Sequence, residues 1–482
     1  MPGALDMTPA ANDTLPCLLD EAARRWPGQA ALILPGQTPL TFAQWSARVT
    51  ERARSLQAQG VTSLQWVVLS ADRNPETLVD IFAVLRAGAR LLPVNPALPS
   101  VAVDALMEAH ALDWRIPEPG GAVVAGPGRV DDPGPPHPSP APVRTGLHGR
   151  FPADDVRTGV LTSGSTGQPK VAMHSHANHV FSAEGANRAI PLGPGDRYLL
   201  SLPLFHVGGL AILFRCLLGG ASLVLGGRAE DSDHLAATGV THLSMVETQL
   251  QRLLAQARPL PRLKAILLGG GPVRPSLLEA ARARGLPCWM SYGLTEMTSQ
   301  VLNQGPDGRV RVLDHRQCRV DGKGEILVRG ATLFKGYLRG GETDPGTDDD
   351  GWFRTRDLGC WDERTLSITG RLDNQFISGG ENIQPETVEQ ALHQHTDVLR
   401  AVVVPYPDPE FGQRPVAFLA VRAPVETCVL RAWLRERLPP YMVPVAFQAL
   451  PAQAGLKVRR RELAQRAGAI GAEVLYPEGE TP

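Results

Sequence analysis

Patterned cysteine is what this chain most plainly lacks. Its six cysteines (Cys17, Cys216, Cys288, Cys318, Cys360 and Cys428) show no CxxC pair and no regular spacing over 482 residues. That excludes a disulfide framework and predicts a reduced, cytosolic protein. Net charge is missing too. The 48 basic and 49 acidic side chains leave a formal −1, which gives no reason to expect a nucleic-acid or anionic-membrane partner. The most apolar stretch, 208–220, is interrupted by Arg215 and is too short to span a bilayer. The opening MPGALDMTPAANDTLP has no basic start followed by an apolar core, so no signal peptide is expected. Repeats of solenoid length are absent as well. What remains is 43% apolar and 20% charged, the composition of a soluble globular enzyme, in a chain too long for one ordinary domain.

Short apolar runs alternate with amphipathic segments, the pattern of layered α/β structure. Helices are expected over 16–25, with proline in the first turn, over 42–59 before Gly60, and over 75–87 before Gly88. Strands are expected over 31–34, 66–70 and 91–94. From 116 to 152 the chain is dense in proline and glycine, including PGPPHPSPAP. It cannot bury enough apolar surface to order itself and reads as a mobile surface loop. A second break lies near 369–374. Beyond it, helices over 385–395 and 429–438 and strands over 401–404 and 416–421 describe a small α+β domain. The expected division is therefore 1–372 and 373–482.

The sharpest local signal is Leu161-Thr-Ser-Gly-Ser-Thr-Gly-Gln-Pro-Lys170. A strand runs into Thr162, Ser163, Gly164, Ser165, Thr166 and Gly167, then Lys170. Glycines let backbone N–H groups converge on phosphate oxygens, hydroxyls add donors, and the lysine supplies charge. The Walker A spacing is absent. Downstream, Ser291-Tyr-Gly-Leu-Thr-Glu296 offers an aromatic ring, a hydroxyl and a carboxylate suited to adenine, an α-phosphate and a magnesium ion, with Glu296 the metal candidate.

The loop resembles the phosphate loop of the adenylate-forming superfamily of acyl- and aryl-CoA ligases, nonribosomal adenylation domains and luciferases. The similarity runs over nearly the whole chain. It implies a large N-terminal domain of layered α/β subdomains that binds acid and ATP, and a small mobile C-terminal α+β domain. It also implies ATP and Mg2+ use, CoA as co-substrate, and an acyl-adenylate intermediate. By this resemblance Tyr292 lies against adenine, Thr295 contacts the α-phosphate, and the turn at Gly269, Gly270 and Gly271 lines the adenine pocket. Gly351-Trp-Phe-Arg-Thr-Arg-Asp357 resembles the motif whose aspartate holds the ribose hydroxyls, with Arg356 where glycine is usual. In Gly370-Arg-Leu-Asp373, Arg371 would contact ribose and phosphate and Asp373 would be the hinge. Gly379 and Gly380 would leave room for pantetheine. Lys457 would be the mobile lysine that offsets charge as pyrophosphate leaves.

For the acid, Ser201-Leu-Pro-Leu-Phe-His206 resembles the acyl-pocket gate, with His206 and Ser291 near the substrate. Two roles are open for Arg215. It pairs with a buried acid such as Glu247, or it recognises a second carboxylate on the substrate. The combination of SLPLFHVGG, GWFRTRD and GRLDNQFISGGENIQPE is most similar to the branch of the superfamily that activates 2-succinylbenzoate, a dicarboxylate, in menaquinone biosynthesis. Two rival functions stay open, another aryl- or acyl-CoA ligase that differs only in its pocket lining, and a stand-alone adenylation enzyme that loads a carrier protein, although no carrier domain is expected after Pro482. Homo-oligomerisation stays open. His174, His176 and His179 are not spaced as a metal triad, and a surface or pocket-edge place is expected for them.

Overall fold

The computed structural model describes residues 13–127, 146–163, 169–271, 273–362, 366–451, 460–468 and 472–477. The chain divides into two compact units, Met1–Cys318 with Val328–Phe353, and Arg319–Leu327 with Arg354–Pro482.

Two large sheets build the first unit. In one, β1 (Trp66–Ser70) and β2 (Arg90–Val94) run parallel, β3 (Val156–Ser163) lies parallel beside β2, and β4 (Pro169–Ser175) turns back on β3. The apolar runs of β1 and β2 are buried almost throughout, as a central parallel strand requires. Between them, helix Pro75–Arg86 begins where Asn74 Oδ1 accepts the Thr77 N–H at 2.8 Å and proline takes the first turn.

After α1 (His176–Ala189) the chain returns to the second sheet, whose edge Ala30–Ile33 and Leu40–Thr41 already form, with β5 (Arg197–Leu199). There follow α2 (Val207–Gly219), β6 (His242–Met245), β7 (Ala265–Leu268) and β8 (Cys288–Leu294). These four strands are parallel neighbours, and β9 (Ser299–Gln304) folds back antiparallel on β8. Register and pleat put Leu243, Met245, Ile266, Leu268 and Met290 on one face, packed with Leu250, Leu253 and Ala281. Tyr198, Ser244 and Ser291 take the other face. α1 and α2 pack against β9.

The second unit contains most of β10 (Phe353–Trp361), then β11 (Leu366–Arg371), β12 (Phe376–Ser378), β13 (Glu381–Ile383) and α3 (Pro385–His393). The long hairpin of β14 (Val398–Asp408) and β15 (Gly412–Val421) follows, then α4 (Thr427–Arg435) and α5 (Arg460–Arg466). Its core gathers Ile383, Leu392, Val403, Leu419, Leu430 and Phe447. Buried Glu389 binds Arg460, whose Nη1 also donates to the Val403 carbonyl at 2.8 Å, and this pins α5 to β14.

Local differences from the sequence expectations have physical causes. Pro16 is not in a helix, because Thr14–Pro16 pairs with Arg150–Pro152, and the helix starts at Leu18. The same pairing corrects the 116–152 loop: Phe151 is buried, and Val124–Ala125 pairs with Trp114–Ile116. Residues 128–145 lie outside the described residues. β14 and β15 outrun their apolar cores because Asp408 Oδ1 takes the N–H groups of Glu410 and Phe411 and closes a tight turn.

Candidate active site

In a parallel sheet, ligands sit beyond the carboxyl ends of the strands. The segments leaving those ends here carry the candidate residues. Ser201–His206 follows β5, Gly269–Gly271 follows β7, and Ser291 and Tyr292 occupy the upper half of β8. The gate segment doubles back on the first turn of α2: a Cβ at Gly209 would stand 2.1 Å from the Pro203 carbonyl oxygen. Only glycine fits there. His206 is the N-cap residue of α2, its ring 4.7 Å from Phe205 between centroids. Ser201 Oγ donates to the Ser244 carbonyl at 2.5 Å, tying the gate to β6.

β3 ends and β4 begins on either side of the candidate phosphate-binding segment, with Lys170 opposite Thr162 and Pro169 opposite Ser163. Gly164, Ser165, Thr166 and Gly167 lie outside the described residues, as does Lys457. Lys170 carries its ammonium 4.8 Å from the ring centroid of Tyr337. Tyr337 donates its hydroxyl to Glu296 Oε1 at 2.6 Å. Burial, with the Glu296 carboxylate beside it, holds the Tyr337 phenol far above its ordinary range, so it stays a donor. Sequence reasoning missed Tyr337. Lys170 and Glu296, far apart in sequence, therefore stand on one three-residue chain.

Three histidines brace this region from inside. His174 is fully buried at the end of β4, and its Nε2 bonds the Thr295 carbonyl at 2.8 Å. His176 Nε2 bonds the Pro16 carbonyl at 2.8 Å, and the His179 ring stacks on Phe214 at 4.3 Å. The expectation of surface or pocket-edge histidines is wrong, because His174 belongs to the strand and the other two face the core from α1. Among the described residues no cluster of three or more potential metal ligands occurs.

Burial depresses His174 and His176 to about 4 from 6.5, and His179 well below 6.5. Between these values the unfolded chain binds more protons than the fold does. Stability therefore falls as the pH drops from about 6.5 towards 4, by up to about 1.4 kcal/mol per pH unit for each ring. Urea midpoints should decline steeply between about pH 7 and pH 5. A flat profile would contradict buried, neutral rings.

Arg215 is 3% exposed. Its Nε donates to Asn187 Oδ1 at 2.9 Å, Nη2 to the Ile190 carbonyl at 3.1 Å, and Nη1 to the Tyr198 hydroxyl at 3.4 Å. Glu247 is not its partner, since that carboxylate holds Arg274 Nε at 2.6 Å. Among the described residues no carboxylate lies within ion-pairing distance of Arg215.

In the second unit, Asp357 on β10 faces Arg371 on β11, and Arg371 Nη1 meets Asp357 Oδ1 at 2.8 Å. Arg371 also reaches Asp373 at 3.2 Å, and Asp373 accepts Arg356 Nε at 2.8 Å. Arg356, standing where glycine is usual, has φ +62°. The left-handed backbone costs a residue with a Cβ about 1–2 kcal/mol. The Arg356 N–H to Glu325 Oε1 (3.0 Å) and the ion pair with Asp373 offset that cost. Gly379 has φ +58°, and a Cβ there would meet the Phe411 ring at 2.7 Å.

The model of the AMP-binding enzyme family matches residues 19–338, and that of the AMP-binding enzyme C-terminal domain matches 387–454. The 2-succinylbenzoate–CoA ligase of Salmonella typhimurium is 38% identical over 444 residues, covering 91% of this chain and 95% of that protein. The o-succinylbenzoate CoA synthetase of Bacillus subtilis, solved with its acyl-adenylate intermediate, superposes with a TM-score of 0.81 at 28% identity, over 94% of this chain and 98% of that one. The same enzyme with ATP and magnesium gives a TM-score of 0.79 at 28% identity, over 94% and 100% of the two chains.

Proposed function

The chain belongs to the AMP-binding enzyme family, and we propose that it is an AMP-forming acid–CoA ligase acting on 2-succinylbenzoate. The observation that carries the catalytic part is the Lys170–Tyr337–Glu296 chain at the base of the β3–β4 connection. It links a cation, opposite Thr162 at the strand end that leads into the Ser/Thr/Gly segment, to a carboxylate, the two charges that a nucleoside triphosphate with its metal requires.

In the first half-reaction a substrate carboxylate oxygen attacks the α-phosphorus of ATP and pyrophosphate leaves. In the second, the CoA thiolate attacks the acyl carbonyl carbon and AMP leaves. The backbone and hydroxyls of 162–167, with Lys170, hold the phosphates. Tyr292 and Gly270–Gly271 bind adenine, Thr295 the α-phosphate, and Asp357 with Arg371 the ribose. His206 and Ser291 position the acid. Lys457 neutralises the charge that develops as pyrophosphate departs. Asp373 is the hinge between an N-terminal domain, 1–372, and a C-terminal domain, 373–482, and the Gly379–Gly380 turn lets pantetheine pass close to the backbone.

Magnesium fits the donor set. Glu296 Oε1 is fixed by Tyr337, leaving the second carboxylate oxygen to a hard cation that also takes phosphate oxygens and waters. Bound there, it would neutralise phosphate charge. A cytoplasmic location suits an enzyme that draws on ATP and CoA. Among the described residues no helix is long and apolar enough to cross a membrane.

That no carboxylate among the described residues partners Arg215 supports its role towards the second carboxylate of the substrate. Arg215→Ala should raise KM for 2-succinylbenzoate roughly tenfold to a hundredfold, the worth of a charge-assisted hydrogen bond. KM for ATP and for a monocarboxylate should change little. Because no buried anion is stranded, the thermal cost should stay near 1–3 kcal/mol, from the Asn187 and Ile190 acceptors left unpaired. Equal loss on both acids would make Arg215 scaffold. The proposed first half-reaction itself is tested by exchange of labelled pyrophosphate into ATP without CoA. Exchange must depend on 2-succinylbenzoate, and exchange with no acid present would refute it.

A further inference from the structure

One buried polar side chain has no role so far. Asn303 on β9 is 1% exposed, and among the described residues neither its Oδ1 nor its Nδ2 has a hydrogen-bond partner. Most other buried orphans here are single atoms, such as a histidine Nδ1 or a threonine hydroxyl. An asparagine amide carries two donors and an acceptor, and burying all of them unmet is costly. Such a residue persists in a core only if something outside the protein completes it.

Its position says what that is. Asn303 lies opposite Ser291 of β8, so the two side chains share a face of the sheet. On the next strand, a Cβ built on Gly269 would find only Ser291 within 4 Å, with its Cβ and carbonyl oxygen both at 3.9 Å. A side chain at Gly269 would thus make only ordinary contact with Ser291, and nothing else among the described residues crowds that position. This is also the face of Tyr198 and Ser244, whose hydroxyls bond at 2.8 Å, and Tyr198 takes the Arg215 contact from α2. Across the other edge, Arg311 stands opposite Asn303 but is held by Asp307 at 2.6 Å. One sheet face under α2 thus carries a guanidinium, two hydroxyls, a glycine and an unmet amide.

We infer that Asn303 is a specificity-determining residue of the acyl pocket, its Nδ2–H donating to an acceptor oxygen on the body of the acid, away from the carboxylate being activated. The inference rests on the reading of this chain as a ligase for 2-succinylbenzoate, which offers a ketone and a second carboxylate as acceptors. A simple aliphatic acid offers neither.

The test uses the full chain and two variants, Asn303→Leu, close in size but without polar ends, and Asn303→Ser, smaller but still a donor. Asn303→Leu should raise KM for 2-succinylbenzoate about tenfold or more, leave KM for ATP within about twofold, and leave KM for octanoate unchanged or lower. Asn303→Ser should recover part of the loss. Its thermal midpoint should not fall with Asn303→Leu, since an unpaired buried amide has been removed. 4-Oxo-4-phenylbutanoate, which keeps the ketone alone, identifies the acceptor. The same loss on it marks the ketone, and no loss marks the ring carboxylate. If both variants keep KM for 2-succinylbenzoate within about twofold of wild type, or raise octanoate in proportion, the inference is wrong. A wild-type enzyme that ignores 2-succinylbenzoate, yet whose use of another keto or dicarboxylic acid is lost in Asn303→Leu, would overturn the substrate and keep the residue.

Discussion

Lys457→Ala should stop adenylate formation while sparing thioester formation. Removing a donor aimed at charge that develops only in the transition state costs about 10²–10³ in rate. Here that charge develops as the α-phosphorus is attacked and pyrophosphate leaves. Transfer of the acyl group from preformed acyl-adenylate to CoA builds no such charge on pyrophosphate, and its rate should stay within a few fold of wild type. The two half-reactions are read separately, by pyrophosphate release with ATP and acid, and by CoA thioester formed from synthetic acyl-adenylate. Equal loss in both half-reactions would show that Lys457 is structural, or that another residue does this work.

Glu296→Gln should be nearly as damaging, for a different reason. The amide oxygen can still accept the Tyr337 hydroxyl, so the turn Thr295–Met297 should hold its shape. What goes is the negative charge. Magnesium takes few protein carboxylates and relies on each, so adenylation should fall about a hundredfold and need more Mg2+ for half-saturation. Tyr337→Phe is the companion variant. It leaves the carboxylate and removes its anchor, and its loss should be smaller, no more than the roughly 1.5–3 kcal/mol of a hydrogen bond to a charged group. Melting curves for both variants near that of wild type would exclude misfolding as the cause. If Mg2+ dependence is unchanged in Glu296→Gln, the metal is held elsewhere.

The sequence was most informative where chemistry and backbone constraint coincide. β1 matches its expected bounds because Trp66–Leu69 is a continuous apolar run that Ser70 and the turn residues after it close. The helices over 42–58 and 75–86 end as glycine demanded, with Gly60 and Gly88 at positive φ. The strand expected to run into Thr162 is present as Val156–Ser163. Contacts that depend on strands meeting across the fold could not be read. Tyr337 joins the site only because Gly336–Arg339 pairs with β4. Asn303 looks like an ordinary polar strand residue until its register with Ser291 is known. His174, His176 and His179 looked exposed because histidine is usually polar surface, and the helix period misled where the first of them belongs to a strand. Arg215 needed coordinates as well, since only the Arg274–Glu247 pair shows that the nearby acid is already taken.

The identity of the acid decides the whole account. AMP release should be measured with ATP, Mg2+ and CoA in the presence of 2-succinylbenzoate, benzoate or octanoate, with the CoA thioester identified by mass. The account predicts stoichiometric AMP and 2-succinylbenzoyl-CoA, with kcat/KM for that acid at least about a hundredfold above either monocarboxylate. Turnover of benzoate or octanoate equal to or faster than that of 2-succinylbenzoate, or AMP release that does not depend on CoA, would contradict it.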